Sequence, residues 1–365
     1  MNSNDRGRVA ARWMPALALI TGLAAGLSAA PTQAAPHRHA RTRAAADPAY
    51  GDSAEVRRFA DEASARRDLP RAWVAMQVAQ AHRIEAVRRL VMPPPPGQAK
   101  NWAAYRDRFV EPQRIAAGLA FWRDNARWLN AAQARWGVAP EIVVGIIGVE
   151  TYFGRITGGF RIIDALATLA FDFPGGRSDR SAFFRDELEQ YLVLCAREGV
   201  DPQSIRGSYA GAIGLPQFMP GSINRYAVDF DADGHVDLAR GAADSIGSVA
   251  HYLAESGWVA GMPTRYAVTP PADAAARAAL LAGDIVPAWT PAQFTEHGAV
   301  LDAAGLRHAG SLALVELHNG QQPPSYVAGT QNFYAVTRYN RSSYYAMAVI
   351  ELGAAIAAAQ AASAP

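Results

Sequence analysis

The spacing of apolar residues constrains the fold of this chain more than any other feature of its sequence. From residue 53 onward, apolar residues recur three and four positions apart, which is the spacing of an amphipathic α-helix. The clearest segments are 54–65, 73–90, 112–136, 186–198 and 242–255. Helix-capping residues support several of these boundaries: Ser53, Gly137, Gly199 and Gly257. The spacing therefore predicts a mainly α-helical body. Because half of the residues are apolar, we expect this body to have a large buried core.

The segment 265–318 differs from the rest of the chain. Proline and glycine separate its short apolar runs, and residues 311–317 have the character of a β-strand. We therefore predict a small β-containing domain at 265–318. The chain then returns through 332–340 to a last apolar helix at about 344–360.

Residues 1–34 have the composition of a secretory signal peptide. Three arginines precede an apolar run at 13–30, and small residues provide a cleavage site before Ala35. A transmembrane anchor is the alternative, but Pro15 and two glycines interrupt the run. We therefore predict a periplasmic protein that keeps no membrane anchor after cleavage. Residues 35–52 are predicted to be a disordered tether, with binding of a metal or an anionic polymer as the alternative.

Charge and cysteine content exclude several classes of protein. The net charge is only +2, from 35 basic and 33 acidic residues, which is too small to indicate a nucleic-acid partner. Cys195 is the only cysteine, so a disulfide framework and a zinc site with two thiolates are both excluded. A monomer is expected.

The segment 139–155 places a carboxylate on an apolar helix face. Pro140 suits the start of a helix and Gly154 suits its end. The residues that share one face at helical spacing are Val143, Ile146, Ile147 and Glu150. Apolar neighbours and the negative end of the helix dipole should both raise the pKa of Glu150, as a general acid requires. The alternative is a glutamate that faces solvent or pairs with Arg155.

The segment 207–222 is rich in glycine, aromatic and amide residues. Its four glycines allow the backbone to approach a ligand closely. Ser208 and Gln217 can offer hydrogen bonds, and Tyr209 and Phe218 can stack on sugar rings. An ordinary connection between helices explains the composition equally well.

Taken together, three motifs in this order resemble the membrane-bound lytic murein transglycosylase B family. They are Gly-Val-Glu-Thr at 148–151, Ser-Tyr-Ala-Gly-Ala-Ile-Gly-Leu-Pro-Gln-Phe-Met-Pro at 208–220, and the pair 338–340 and 344–349 near the end. The resemblance runs from about residue 50 to 360. It implies a lysozyme-like, mainly α (α+β) fold. Its three parts would be a helical domain from 53–130 plus 341–361, a catalytic core from 131–264 plus 319–340, and the β domain.

The resemblance also implies an activity, the cleavage of peptidoglycan without water. Glu150 would protonate the glycosidic oxygen between N-acetylmuramic acid (MurNAc) and N-acetylglucosamine (GlcNAc). As a carboxylate it would then take the proton of the C6 hydroxyl that attacks C1, leaving a 1,6-anhydro sugar. No cofactor is needed for this chemistry. A hydrolytic muramidase and a non-catalytic wall-binding or scaffolding protein are the alternatives.

Further residues match family positions that hold the glycan. Ser208 and Gln217 would line the cleavage site, Tyr339 and Asn340 would contact the N-acetyl region, and Tyr345 would orient the acid.

Two more matches concern the groove wall and the peptide stem. Tyr105 would be an aromatic residue of the wall, and Arg180 would meet the lactyl-peptide stem. Arg177 is an alternative for the second role, because the sequence around 174–179 lacks the paired arginines of the family. Peptidoglycan strands are the expected partner, and proteins of cell-wall synthesis or division are further candidates.

An acidic loop between 229 and 240 resembles a calcium-binding EF-hand loop. The matching positions are Asp229, Asp231, Asp233, His235 through its backbone, and Asp237. Arg240 stands where a bidentate glutamate is expected, and Asp244 could replace it or cap the next helix. We predict a structural calcium or sodium ion here, with an acidic turn that binds no ion as the alternative.

Overall fold

The computed structural model describes residues 48–93, 100–176 and 178–363. The predicted signal peptide, residues 35–47 of the predicted tether, and Arg177 lie outside these ranges. Helices predominate in the described residues, and the sheets are small. The predicted mainly α class is therefore confirmed.

The helices and strands of the described residues have the following bounds. The helices are α1 (Ala54–Arg67), α2 (Arg71–Ala79), α3 (Glu85–Leu90), α4 (Trp102–Arg106), α5 (Pro112–Asp124), α6 (Ala126–Trp136), α7 (Pro140–Thr151), α8 (Ile162–Phe171), α9 (Ser181–Glu198), α10 (Pro220–Tyr226), α11 (Ala242–Glu255), α12 (Ala274–Leu281), α13 (Pro291–Glu296), α14 (Ala303–Leu306), α15 (Gln331–Tyr339) and α16 (Ser343–Ala362). The strands are β1 (Phe160–Arg161), β2 (Arg206–Gly207), β3 (Arg265–Thr269), β4 (Val300–Leu301), β5 (Ala313–Asn319) and β6 (Gln322–Gly329).

The first hydrophobic core is centred on α7 and α16, which pack along each other. Two glycines allow the helices to come this close. A β-carbon at Gly145 would lie 2.3 Å from the Val349 carbonyl oxygen, and one at Gly353 would lie 2.1 Å from the Glu141 carbonyl oxygen. Both distances are far below van der Waals contact, so larger residues would push the helices apart.

Among the described residues, α16 is the one helix with the length and apolar composition of a membrane span. In the structure it packs against α4, α5 and α7. Its apolar side chains belong to the first core, and these contacts explain its composition.

The second hydrophobic core joins α1–α3 to α8, α9 and α10. The predicted helical domain instead grouped all of 53–130 with the last helix. The structure separates that range, since α1–α3 belong to the second core while α4 and α5 pack with α16 in the first. Tyr252 and Tyr339 contact both cores, and the candidate site lies where the cores meet.

The four-stranded sheet has the order β4-β3-β6-β5, with all pairs antiparallel. The predicted β domain, 265–318, stops before β6, so this boundary is corrected to include Gln322–Gly329. Pro323 and Pro324 conceal the strand in the sequence because proline is rare in central strands. In the structure β3 pairs only with residues 327–329 of β6, so the prolines lie on a stretch that has a partner on one side.

Two of the predicted helices are divided in the structure. The segment 73–90 contains α2 and α3, and the segment 112–136 contains α5 and α6, which meet at Asn125. The Asn125 side chain donates a hydrogen bond to the Phe121 carbonyl oxygen, and this local bond competes with continuation of the helix. The predicted caps at Ser53, Gly137 and Gly199 are confirmed.

The predicted tether extends too far along the chain. Residues 48–52 belong to the fold, since Ala49 forms a bridge with His82 and the Tyr50 amide donates to the Ala81 carbonyl oxygen. The Tyr50 hydroxyl donates to Asp172 at 2.5 Å, and its ring packs edge-on against Phe171. Backbone hydrogen bonds and the Tyr50 side chain together hold this end of the segment against the fold.

Candidate active site

Glu150 lies in the last turn of α7, where the chain bends sharply. The helix ends at Thr151, and the next three residues, Tyr152, Phe153 and Gly154, all have left-handed backbone angles with φ of 52°, 57° and 86°. The Thr151 hydroxyl donates to the Leu215 carbonyl oxygen at 2.9 Å. It also accepts from the Gly154 amide at 3.1 Å. These bonds fix the end of α7 against the glycine-rich segment 207–222.

The carboxyl group of Glu150 has the surroundings of a general acid. Burial raises its pKa to about 7, and a hydrogen bond from the Tyr345 hydroxyl, 2.6 Å from Oε1, partly offsets this effect. The Arg155 guanidinium lies over the Tyr152 ring instead, 4.7 Å from its centroid. Burial, one of the two causes predicted from the sequence, is the main reason for the raised pKa of Glu150.

A groove of about 550 Å³ opens on one side of Glu150, and we call it the main groove. Its lining residues include members of α9, α10, α11 and α15, and both glutamate and arginine side chains are among them. The residues that line the main groove include Glu150, Phe183, Glu187, Gln217, Tyr339 and Asn340.

Three of the predicted residues, Tyr339, Asn340 and Tyr345, meet beside Glu150. The rings of Tyr339 and Tyr345 are stacked with centroids 6.3 Å apart, and the Tyr339 hydroxyl donates to the Pro216 carbonyl oxygen at 2.5 Å. Asn340 is only 7% exposed, and its Oδ1 has no hydrogen-bond partner among the described residues. A buried acceptor without a partner is costly, so this oxygen is suited to a ligand N–H group.

The side chains of Ser208 and Gln217 have different surroundings in the structure. The Ser208 hydroxyl is buried and accepts from the amides of Ala210 and Ala212, so it shapes the loop from within. Gln217 lines the main groove with a left-handed backbone, and its Nε2 donates to the carbonyl oxygens of Thr157 and Gly214.

Among the described residues, neither Tyr105 nor Arg180 lines the main groove. The Tyr105 ring packs against Phe109 and Tyr344, and burial, aided by the charge of Glu150, raises its pKa to about 12. The Arg180 guanidinium lies 4.5 Å from the centroid of Phe183, a main-groove residue, and Arg180 borders the groove through that ring.

Glu187 is a groove residue that the sequence predictions missed. It is 7% exposed, its Oε2 accepts from the Gly221 amide at 2.8 Å, and burial raises its pKa to about 7. A sequence signal was present, because Phe184, Glu187, Leu188 and Tyr191 follow the same spacing that singled out Glu150.

A second recess, of about 330 Å³, adjoins Glu150 from another direction. Its lining is Arg108, Phe109, Arg114, Val149, Glu150, Thr151, Tyr152 and Ile156. Glu150 is the one residue that lines both this second recess and the main groove.

In the acidic loop, the carboxylates that come together are Asp229, Asp231 and Asp244, whose oxygens lie within 4.8 Å of one another. Asp233 and Asp237 lie outside this group, and each accepts hydrogen bonds from backbone amides of the loop, as Asp229 also does.

Asp244 lies in the first turn of α11 and is hydrogen-bonded to that loop. Its two oxygens accept from the amides of Phe230 and Asp237, at 2.7 and 2.8 Å. Burial and the nearby carboxylates of Asp231 and Asp229 raise its pKa. Three converging carboxylates fit a hard divalent cation such as calcium.

The chain belongs to the transglycosylase SLT domain family, which matches residues 51–354. It is therefore a lytic transglycosylase, an enzyme of a class that acts on peptidoglycan, and the resemblance inferred from the motifs is confirmed.

Individual relatives agree with this assignment. The membrane-bound lytic murein transglycosylase B of Escherichia coli K12 is 37% identical over 328 residues, which are 85% of each chain. The E. coli lytic transglycosylase Slt35 in complex with bulgecin A is 37% identical, with a TM-score of 0.75 over 86% of this chain and 97% of that one. Its calcium complex is 36% identical, with a TM-score of 0.73 over the same shares. Pseudomonas aeruginosa SltB3 in complex with a NAG-anhNAM-pentapeptide is 29% identical, with a TM-score of 0.70 over 82% and 77%.

Proposed function

We propose that Glu150 alone acts as general acid and then general base in non-hydrolytic cleavage of the MurNAc-β-1,4-GlcNAc bond. The observation that carries this proposal is the pKa of about 7 for a carboxyl group that opens onto a groove. Near neutral pH such a group is protonated in part of the molecules and can give up its proton readily.

The chemistry follows from the two protonation states of Glu150. The protonated carboxyl gives its proton to the glycosidic oxygen as the C1–O bond breaks. The resulting carboxylate takes the proton of the C6 hydroxyl. As this proton leaves, the C6 oxygen bonds to C1 of the same sugar and closes the 1,6-anhydro ring. The sugar ring holds this hydroxyl near C1, so the high effective concentration replaces a second catalytic group.

Residues around Glu150 would position the sugar. The unpartnered Oδ1 of Asn340 would accept the N–H of an acetamido group, and the stacked rings of Tyr339 and Tyr345 would provide an apolar wall. Gln217 would contribute on the opposite side of the groove. The complexes of Slt35 with bulgecin A and of SltB3 with a NAG-anhNAM-pentapeptide support glycan binding in this fold.

Hydrolysis by a carboxylate pair is the competing chemistry, because Glu187 also lines the main groove. Its bond from Gly221 and its pKa of about 7 leave it a weak partner for a hydrolytic reaction near neutral pH. A wall-binding scaffold with no activity would have no use for the raised pKa of Glu150.

Product analysis tests the three possibilities directly. We expect purified protein to release 1,6-anhydroMurNAc ends from isolated sacculi, detected by mass spectrometry. Reducing ends would establish hydrolysis, and the absence of soluble fragments with retained binding would establish a scaffold. Either result would overturn the proposal.

We also propose that Asp229, Asp231 and Asp244 hold a structural calcium ion. Support comes from their converging oxygens and from the calcium complex of Slt35. The EF-hand pattern expects a glutamate ligand where this chain has Arg240, and Asp244 would provide the carboxylate in its place. The ion would stiffen the loop before α11 and would not enter the reaction.

Calcium titration with thermal unfolding tests this second proposal. Millimolar calcium should raise the melting temperature by about 2 to 4 °C for each kcal/mol of binding free energy. The shift should disappear in Asp244→Asn and persist in Asp237→Asn, because Asp237 lies outside the group of converging carboxylates. A wild-type protein with no shift would refute the ion site.

The proposed location of the protein in the cell follows from its substrate. Support for the cell wall as its location comes from the E. coli relative, a membrane-bound lytic murein transglycosylase. The finer proposal, a periplasmic protein without an anchor after signal cleavage, is tested by fractionation of cells and N-terminal sequencing of the mature chain. A mature chain that begins at residue 1 and stays with membranes would overturn it.

A further inference from the structure

We propose that the second recess binds a carboxylate of a stem peptide, through Arg108 and Arg114, on the side of Glu150 away from the main groove. The inference deepens the proposed function and rests on it, because it takes peptidoglycan as the substrate. The proposed occupant is the free carboxylate of a short peptide attached to the glycan.

Arg114 provides the first observation. It is 8% exposed and lines the second recess, and its Nη1 donates to the Gly148 carbonyl oxygen at 2.8 Å. Its Nε has no hydrogen-bond partner among the described residues. Buried guanidinium groups in folded proteins normally have their donors satisfied, so this site lacks an acceptor that a ligand can supply.

The neighbouring carboxylate does not fill this role. Glu111 Oε1 lies 4.0 Å from the Arg114 Nε, which is too far for a hydrogen bond. The Glu111 oxygens instead accept from the amides of Gln113 and Arg114, capping the start of α5. Because these capping bonds hold the carboxylate at the helix end, Arg114 remains incompletely compensated.

The rings around Arg114 hold it in place without neutralising it. Its guanidinium lies 4.4 Å from the centroid of Tyr152 and 5.3 Å from that of Phe109. Such contacts fix the orientation of the group. Burial lowers the pKa of Arg114, which means that its charged form is less stable here than in water. An incoming anion would restore that stability.

The rest of the recess matches a short peptide. Arg108 lies at the same recess and adds a second guanidinium, so two cations face a site whose only lining carboxyl group is Glu150. Val149 and Ile156 provide apolar surface beside the charges. A carboxylate next to a small apolar side chain fits this combination better than an uncharged sugar does.

The position of the recess separates it from the predicted stem contact at Arg180. Arg180 borders the main groove through Phe183, whereas the second recess shares only Glu150 with that groove. A strand that crosses the acid would therefore present stems to basic groups on both sides of the bond that is cut.

The test measures binding in a Glu150→Gln background, where the probes stay intact. The two probes are glycan strands with peptide stems that carry free carboxylates, and the same strands after an amidase has removed the stems. Arg108→Gln and Arg114→Gln should each weaken calorimetric binding of the stem-bearing strands by about tenfold. Binding of the stem-free strands should change by less than twofold.

The controls separate charge, folding and function. Arg127→Gln removes the same charge from an exposed position on α6, where the guanidinium lies over Trp128. This variant should leave the affinity for both probes unchanged. Arg114→Gln also removes the bond to Gly148, so exposed Arg108 provides the test if that variant unfolds. An equal loss of affinity for both probes, or no loss of affinity in Arg108→Gln, would overturn this inference and leave the proposed function unaffected. Failure of both probes to bind would overturn the proposed function as well.

Discussion

Two glutamates line the main groove, half-buried Glu150 at the end of α7 and buried Glu187 in α9, and they differ in the donors that hold them. Burial raises the pKa of both Glu150 and Glu187 to about 7. Glu150 accepts its hydrogen bond from the Tyr345 hydroxyl, and Glu187 accepts from the Gly221 amide.

The nature of the donor decides what each carboxyl group can do. A hydroxyl can donate to a carboxylate and accept from a protonated carboxyl, so Tyr345 can accompany Glu150 through both protonation states. A backbone amide can only donate, and its position is fixed by the start of α10. We infer that Glu150 is arranged for proton transfer and Glu187 for holding α10 against α9.

The largest expected effect is the loss of activity in Glu150→Gln. The amide preserves shape but cannot transfer a proton, so the release of anhydro ends should fall by about 1,000-fold or more. Mass spectrometry of digested sacculi measures this, with thermal unfolding as the check on folding. Activity within tenfold of wild type would remove Glu150 from the mechanism.

The matched variant Glu187→Gln should have little effect on activity. Its amide oxygen can still accept from Gly221, so the turnover should stay within about threefold of wild type. Glu187→Ala leaves that amide without an acceptor and should lower the free energy of unfolding by about 1 to 3 kcal/mol. A 100-fold loss of turnover in a folded Glu187→Gln protein would make the groove a two-carboxyl site.

Tyr345→Phe should have an intermediate effect. The bond from Tyr345 lowers the pKa of Glu150, so its removal should move the alkaline limb of the pH–rate profile upward. Loss of the orienting bond should also reduce the rate about 10- to 100-fold. An unchanged profile would show that the bond does not persist in the working enzyme.

The smallest expected effect is on stability as pH changes. Each glutamate has a folded-state pKa above its ordinary value, so the stability that it contributes is full below about pH 4.5 and is lost as the pH rises through about 7. Glu150→Gln and Glu187→Gln should therefore each show a gain in stability over wild type above pH 7. Below pH 4.5 the gain should vanish. Denaturant unfolding at pH 4 and pH 8 measures the difference, and equal gains at both values would contradict the pKa assignment.

The sequence predictions succeeded where one local pattern decides the structure. Apolar spacing and the residues at helix ends predicted α1, α7 and α11 closely, and the helix face of α7 identified a buried acid. The same reasoning joined α5 to α6, because spacing alone does not reveal the side-chain bond of Asn125 to Phe121 that accompanies the break.

Features that depend on distant contacts were harder to predict. The spacing around Glu187 matched that of Glu150, but with Asp186 and Glu189 beside it the sequence alone does not show which of these carboxylates faces solvent. Glu189 is in fact buried through ion pairs with Arg66 and Arg67, more than 100 residues away. The grouping of Asp244 with Asp229 and Asp231 likewise depends on how α11 packs against the loop.

The pairing of α7 with α16 has a consequence for the timing of synthesis. Tyr345 follows Glu150 by 195 residues, and it reaches the acid from a helix that the ribosome completes among the last parts of the described chain. A nascent or prematurely terminated polypeptide that stops before this helix lacks both the hydroxyl partner and the apolar side chains that α16 adds to the first core. Such a fragment would carry Glu150 without the hydrogen bond and the helix packing that surround its carboxyl group in the complete fold.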